Sequence, residues 1–181
     1  MIRNYAIVVN LTGNMLAATL HGWDVLHKIF HIKYISSRSP CPHITLSAGS
    51  CNLNETDVVR LVKKIAIDVK SFEISGNGLG VFVVETPVVY VRWLLSDKLD
   101  NLHTLVHGDM KSIWSKFETH YNQEMWLPKT TLAFHDISYP KLPLVLKELK
   151  KIEFKQSMLV QNLSLLTFEK QGETLIETIP I

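Results

Sequence analysis

The chain has 181 residues, of which 46% are hydrophobic by an inclusive count, and a formal net charge of +2. That suffices for one globular domain or two small, closely packed lobes. With no basic tail or like-charge block, this charge permits weak attraction to a small or locally bound anion without arguing for a large nucleic-acid surface. No run approaches about 18 consecutive apolar residues and no signal-peptide core appears, so a soluble, cytoplasmic protein with no membrane partner is expected.

Residues 3 to 11 read as a strand through Ile7, Val8 and Val9. Leu16, Leu20, Trp23, Leu26, Ile29 and Phe30 recur at three- and four-residue spacing and predict an amphipathic helix over 14–31. A serine- and proline-rich loop, 36–42, delivers a strand over 43–48. Asn54 is the expected N-cap of a helix over 55–69, with the Asp57 carboxylate at its amide-rich start and Val58, Leu61, Val62, Ile65 and Val69 as its apolar stripe.

Residues 72–75, 81–84 and 88–95 read as antiparallel strands, with Gly76-Asn77-Gly78-Leu79-Gly80 taken as a hairpin turn. A helical pattern covers 97 to about 120, interrupted at Gly108. A strand is expected at 128–133, a helix at 140–151, and strands over 153–168 and 173–180. The class is α+β, with two similar lobes packed as one bilobal domain over 1–181.

Two hexapeptides echo each other: Pro42-His43-Ile44-Thr45-Leu46-Ser47 and Pro128-Lys129-Thr130-Thr131-Leu132-Ala133. Side chains alternate along a strand, so His43 and Thr45 share one face about 7 Å apart, as do Lys129 and Thr131. Ile44, Leu46, Thr130 and Leu132 face the core. Two such strands side by side would surround one anion with four polar groups.

This repeated His-x-Thr-Leu pattern resembles the 2H phosphoesterase superfamily, which includes the RNA 2′,5′ ligase-like cyclic phosphodiesterases. The glycine stretch running into Val81-Phe82, followed by Val88-Val89-Tyr90-Val91, resembles the hairpin between that family's motifs. The resemblance implies two pseudo-symmetric lobes of antiparallel sheet with helices outside and a central cleft. It also implies acid–base hydrolysis of 2′,3′-cyclic or 2′,5′-linked nucleotide or RNA-end phosphodiesters, without metal or other cofactor; a monomer is expected. His43 is then the base or acid, and Thr45 and Thr131 hold the nonbridging oxygens.

Lys129 stands where the family's second histidine belongs. An unperturbed lysine is neutral in only roughly one molecule in 2,500 at pH 7, so it serves poorly as a base. It can act as a fixed cation, or as an acid if its surroundings lower its pKa. A slow enzyme and a catalytically inactive nucleotide- or RNA-phosphate-binding relative are both open readings, and an interaction scaffold leaves the polar pairs without a purpose.

Among the remaining candidates, Arg38 is an accessory phosphate contact or a solvated arginine. His135 lies too far along its strand, about 20 Å from position 129, to replace a motif histidine. Cys41 and Cys51 read as free thiols, with no catalytic role for Cys41. Tyr5, Trp93, Trp126 and Phe134 either flank a base or fill the core. His103 and His107 have the i, i+4 spacing that zinc sites use but no third ligand, and read as a solvated helix face.

Overall fold

The computed structural model describes residues 2–181. Its elements, in chain order, are β1 (Arg3–Asn10), α1 (Gly13–Phe30), β2 (His43–Cys51), α2 (Glu55–Ala66), β3 (Phe72–Phe82), β4 (Val88–Trp93) and α3 (Asp97–Lys111). These are followed by β5 (Lys116–Phe117), a 3₁₀ turn at Thr119–Tyr121, β6 (Lys129–Ala133), α4 (Leu142–Leu149), β7 (Ser157–Val160), β8 (Asn162–Glu169) and β9 (Gly172–Pro180).

Two antiparallel sheets result, with strand orders β5-β2-β1-β8-β9 and β6-β4-β3-β7. Each sheet contains one hexapeptide strand, as the echo predicts. Helices α2 and α3 cover the first sheet, whereas α1 packs on the second and α4 packs against α1. The lobes are therefore interleaved: β1 lies in one sheet and the helix that follows it covers the other. Among the described residues, no helix is long and apolar enough to cross a membrane.

Local chemistry explains the helix ends. Asn54 Oδ1 accepts from the Asp57 N–H at 3.0 Å, as expected of the cap. At the end of α1, His31 adopts a left-handed conformation, its N–H bonding the His27 carbonyl while the Ile32 N–H bonds that of Leu26. This pairing satisfies the last carbonyls and drops Ile32 into the core.

Several expectations are corrected. The buried face of α1 is Met15, Thr19, Gly22, Trp23 and Leu26, while Leu20 and Ile29 are 46% and 54% exposed. Gly108 does not interrupt α3: space around it is open, and one exposed glycine costs a helix only about 1 kcal/mol. The chain instead turns after Lys111, where the Ser115 N–H bonds the Ser50 carbonyl and leads into β5. The strand expected over 153–168 divides at Gln161, with β7 and β8 in different sheets.

The segment 76–80 is not a hairpin turn but part of β3. Residues 72–75 pair with β7, and the strand then pairs with β4, its register shifting between Gly76 and Leu79. Gly78, at φ +78°, supplies the conformation this bulge needs. The reversal to β4 comes at residues 83–87.

His103 and His107 are buried, not solvated. Their rings stack at 5.6 Å, and His103 lies parallel to Trp126 at 3.9 Å. The periodicity is helical, but only tertiary packing determines which face meets the sheet. Burial lowers the pKa of both imidazoles below the usual histidine range.

An unfolded histidine takes a proton near pH 6.5, and stability rises with pH wherever the unfolded chain binds more protons. The contribution of neutral His103 and His107 is therefore complete above that pH and falls away below it. Urea denaturation from pH 7.5 to 5.0 should show stability declining below about pH 6.5, and His107→Leu should retain more of it at pH 5.0 than wild type. An equal decline in both proteins would refute this account.

Candidate functional site

The two hexapeptides repeat in three dimensions down to the backbone. Burial alternates identically, with His43, Thr45, Lys129 and Thr131 half-buried and Ile44, Leu46, Thr130 and Leu132 fully buried. Both strands carry a bulge at the same motif position. Thr45 pairs with Val8 and Ser47 with Ile7, leaving Leu46 unpaired, while Thr131 pairs with Tyr90 and Ala133 with Val89, leaving Leu132 unpaired. A bulge twists its strand and redirects the side chains beside it, as is common next to active sites.

All four tryptophans of the chain brace these strands. The indole N–H of Trp126 donates to the Thr45 carbonyl at 2.9 Å and that of Trp23 to the Thr131 carbonyl at 3.3 Å. Trp114 donates to Ser47 Oγ and Trp93 to Thr130 Oγ1, each at 3.0 Å. The motif strands need such donors because each lacks a strand neighbour on one side. β6 is an edge strand, and β5 pairs β2 only at Gly49 and Ser50.

His43, Thr45, Lys129 and Thr131 line a single cavity of about 250 Å³. The four residues expected to meet do so, and Arg38 and Cys41 join them. Sequence reasoning missed other lining residues, among them Trp23 from α1, Tyr34 and Ser39 from the loop before β2, Tyr121 from the 3₁₀ turn, and Phe168, Glu169 and Glu173 from the β8–β9 hairpin. No local pattern marks them, because they come from segments far apart in the chain.

The aromatic candidates fall elsewhere. Tyr5, Trp93 and Trp126 belong to the core. Phe134 packs beside Tyr34 and His135 outside the cavity lining, and His135 lies exposed beyond the end of β6.

His43 Nδ1 lies 2.9 Å from the Cys41 carbonyl. A carbonyl can only accept, so Nδ1 carries the proton, and in the neutral ring Nε2 keeps its lone pair. Lys129 Nζ donates to Thr131 Oγ1 at 3.4 Å, which leaves the hydroxyl proton of Thr131 available to another acceptor. Burial lowers the Lys129 pKa, opposed in part by the Glu173 carboxylate. Burial, reinforced by Glu173, pushes the Cys41 thiol up to about 11, so it remains protonated and a weak nucleophile, donating to Asn10 Oδ1 at 3.1 Å. Burial likewise raises the Tyr121 phenol.

Arg38 is committed to the rim. Its guanidinium lies 4.6 Å over the Tyr34 ring and donates to the Lys170 carbonyl. The neighbouring backbone is held from the other side by Asp136, whose Oδ2 accepts from the N–H groups of Lys33 and Tyr34 at 2.7 Å each. Among the described residues, no three His, Cys, Asp or Glu side chains group as metal ligands.

Comparison with known proteins agrees with this architecture. Residues 18–172 match the family model of the 2′-5′ RNA ligase superfamily. The chain belongs to this superfamily of 2H phosphoesterases.

The crystal structure of TT0787 from Thermus thermophilus is similar at a TM-score of 0.67 and 16% identity, covering 98% of this chain and 97% of that one. LigT of E. coli in its apo form gives 0.64 and 14%, covering 100% and 98%. LigT complexed with 3′-AMP gives 0.61 and 13%, covering 99% and 98%. At these identities the likeness establishes the fold. No curated protein sequence matches the chain.

Replacing Trp126 by Phe removes the donor to Thr45 while keeping an aromatic ring against His103. It should lower stability by about 1–3 kcal/mol, measured by urea denaturation, and Trp23→Phe should do the same. Unchanged midpoints in both would show that the indole bonds do not hold the motif strands.

Proposed function

We propose that the protein is a phosphodiesterase acting on 2′,3′-cyclic or 2′,5′-linked phosphodiesters of nucleotides or RNA ends through its own acid and base side chains. The observation that carries this reading is the pair of like-bulged, like-buried motif strands bordering one cavity, with His43 on one and a desolvated Lys129 on the other. LigT of E. coli has been crystallised with 3′-AMP and with phosphate, which supports a phosphate-bearing nucleotide as the ligand class.

On a 2′,3′-cyclic phosphate, His43 Nε2 takes a proton from water as the oxygen attacks phosphorus. The bond from phosphorus to one ribose oxygen breaks, and Lys129 gives that oxygen a proton. To act as the acid, Lys129 must enter each cycle protonated. Burial lowers the cost of releasing the proton, and a neighbouring ammonium also stabilises charge developing on the phosphoryl oxygens. The hydroxyls of Thr45 and Thr131 donate to the nonbridging oxygens.

Hydrolysis of 2′,3′-cyclic nucleotides tests the assignment. His43→Ala should reduce kcat by about 10²–10⁴, and Lys129→Arg should keep anion binding while losing much of kcat, since a guanidinium does not release a proton. Loss of the Lys129 proton ends turnover, so the alkaline limb of the pH profile should lie below the ordinary lysine range near 10.4. Full activity in His43→Ala would remove the residue from the mechanism. An inert wild type that gains activity as Lys129→His would favour a binding protein that has lost turnover, the reading prompted by the missing second histidine.

A further inference from the structure

The cavity assigned to a phosphate also contains a carboxylate. Glu173, at the start of β9, is half-buried and shares the lining with Lys129 and Thr131. Its backbone N–H donates to the Arg38 carbonyl at 2.7 Å, and its Oε2 accepts from Ser39 Oγ at 2.6 Å. Gly172, at φ +145°, permits this approach, because a Cβ there would sit 2.6 Å from the Arg38 carbonyl oxygen. The carboxylate is thus held in place on both its main chain and its side chain.

Among the described residues no salt bridge neutralises the Glu173 carboxylate; the ion pairs there involve other carboxylates. Arg38 is turned to Tyr34 and the Lys170 carbonyl. The other acid of the lining, Glu169, lies exposed at the hairpin, where solvent screens it. The charges a ligand meets inside are the Glu173 carboxylate and the cation of Lys129, with the Arg38 guanidinium at the rim.

We infer that Glu173 makes the cleft select singly charged phosphodiesters over doubly charged phosphomonoesters. The inference rests on the phosphodiesterase reading above. A diester carries one negative charge, whereas a monoester carries about −1.5 to −2 at pH 7. Each unit of ligand charge meets the Glu173 field, so this carboxylate repels the monoester nearly twice as strongly as the diester and offsets the extra attraction the monoester gains from Lys129. Because hydrolysis of a diester creates the second charge, the same residue favours departure of the product.

The test compares two ligands that differ by one charge and one methyl group: 2′-deoxyadenosine 3′-monophosphate and its 3′-methyl diester, with binding measured by calorimetry at pH 7.5. Glu173→Gln keeps an acceptor for Ser39 and should strengthen monoester binding more than diester binding, shifting the ratio of the two Kd values by about tenfold. Glu173→Asp keeps the charge and should keep the wild-type ratio. Binding of both ligands with an unchanged ratio in Glu173→Gln, or the same shift in Glu173→Asp, overturns this inference alone. If neither ligand binds wild type or variants, the phosphate cleft itself is wrong and both readings fall.

Discussion

The arrangement depends on one kind of contact, the hydrogen bond from a tryptophan N–H to a motif strand. Each hexapeptide strand lacks a full strand neighbour along one edge, since β6 ends its sheet and β5 pairs β2 only at Gly49 and Ser50. Indoles solve this by filling core space with the ring while meeting a backbone or hydroxyl oxygen at the edge. The two that reach the Thr45 and Thr131 carbonyls occupy equivalent places in the two motifs, so the twofold echo extends from sequence to bulge to brace. His103 supports this layer from behind, lying flat on Trp126 while its Nε2 bonds the Tyr121 carbonyl.

The chemistry follows from what that frame surrounds. A lysine in place of a second histidine would be a poor proton carrier in water, but here burial weakens its hold on the proton while Glu173 works the other way. The cavity thus tempers its cation instead of simply exposing it. His43 receives the complementary treatment, since the Cys41 carbonyl fixes the proton on Nδ1 and leaves Nε2 with a lone pair in the neutral ring. His43 and Lys129, the proposed base and acid, come from different sheets, so their separation is set by lobe packing.

Much of this was legible beforehand. The alternation in His43-Ile44-Thr45-Leu46 and Lys129-Thr130-Thr131-Leu132 specified which side chains are buried, and the Asn54 cap gave the start of α2, because both are local effects of strand period and backbone hydrogen bonding. The glycine run at 76–80 misled because glycine serves a bulge as well as a turn, and only pairing with β7 and then β4 separates the two. The histidines of α3 misled because a helical repeat states that a face exists without stating that Trp126 and Phe117 lie against it.

The sequence by itself determined the α+β class, the two motif strands and the identity of the polar groups they present. Tertiary structure alone decided that Glu173, Tyr121 and Phe168 join them, that Arg38 turns to the rim, and that Lys129 is desolvated. The physical reason is range. Strand alternation and capping act within a few residues, whereas burial and electrostatic environment are set by whichever distant segments the packed sheets bring around the cavity.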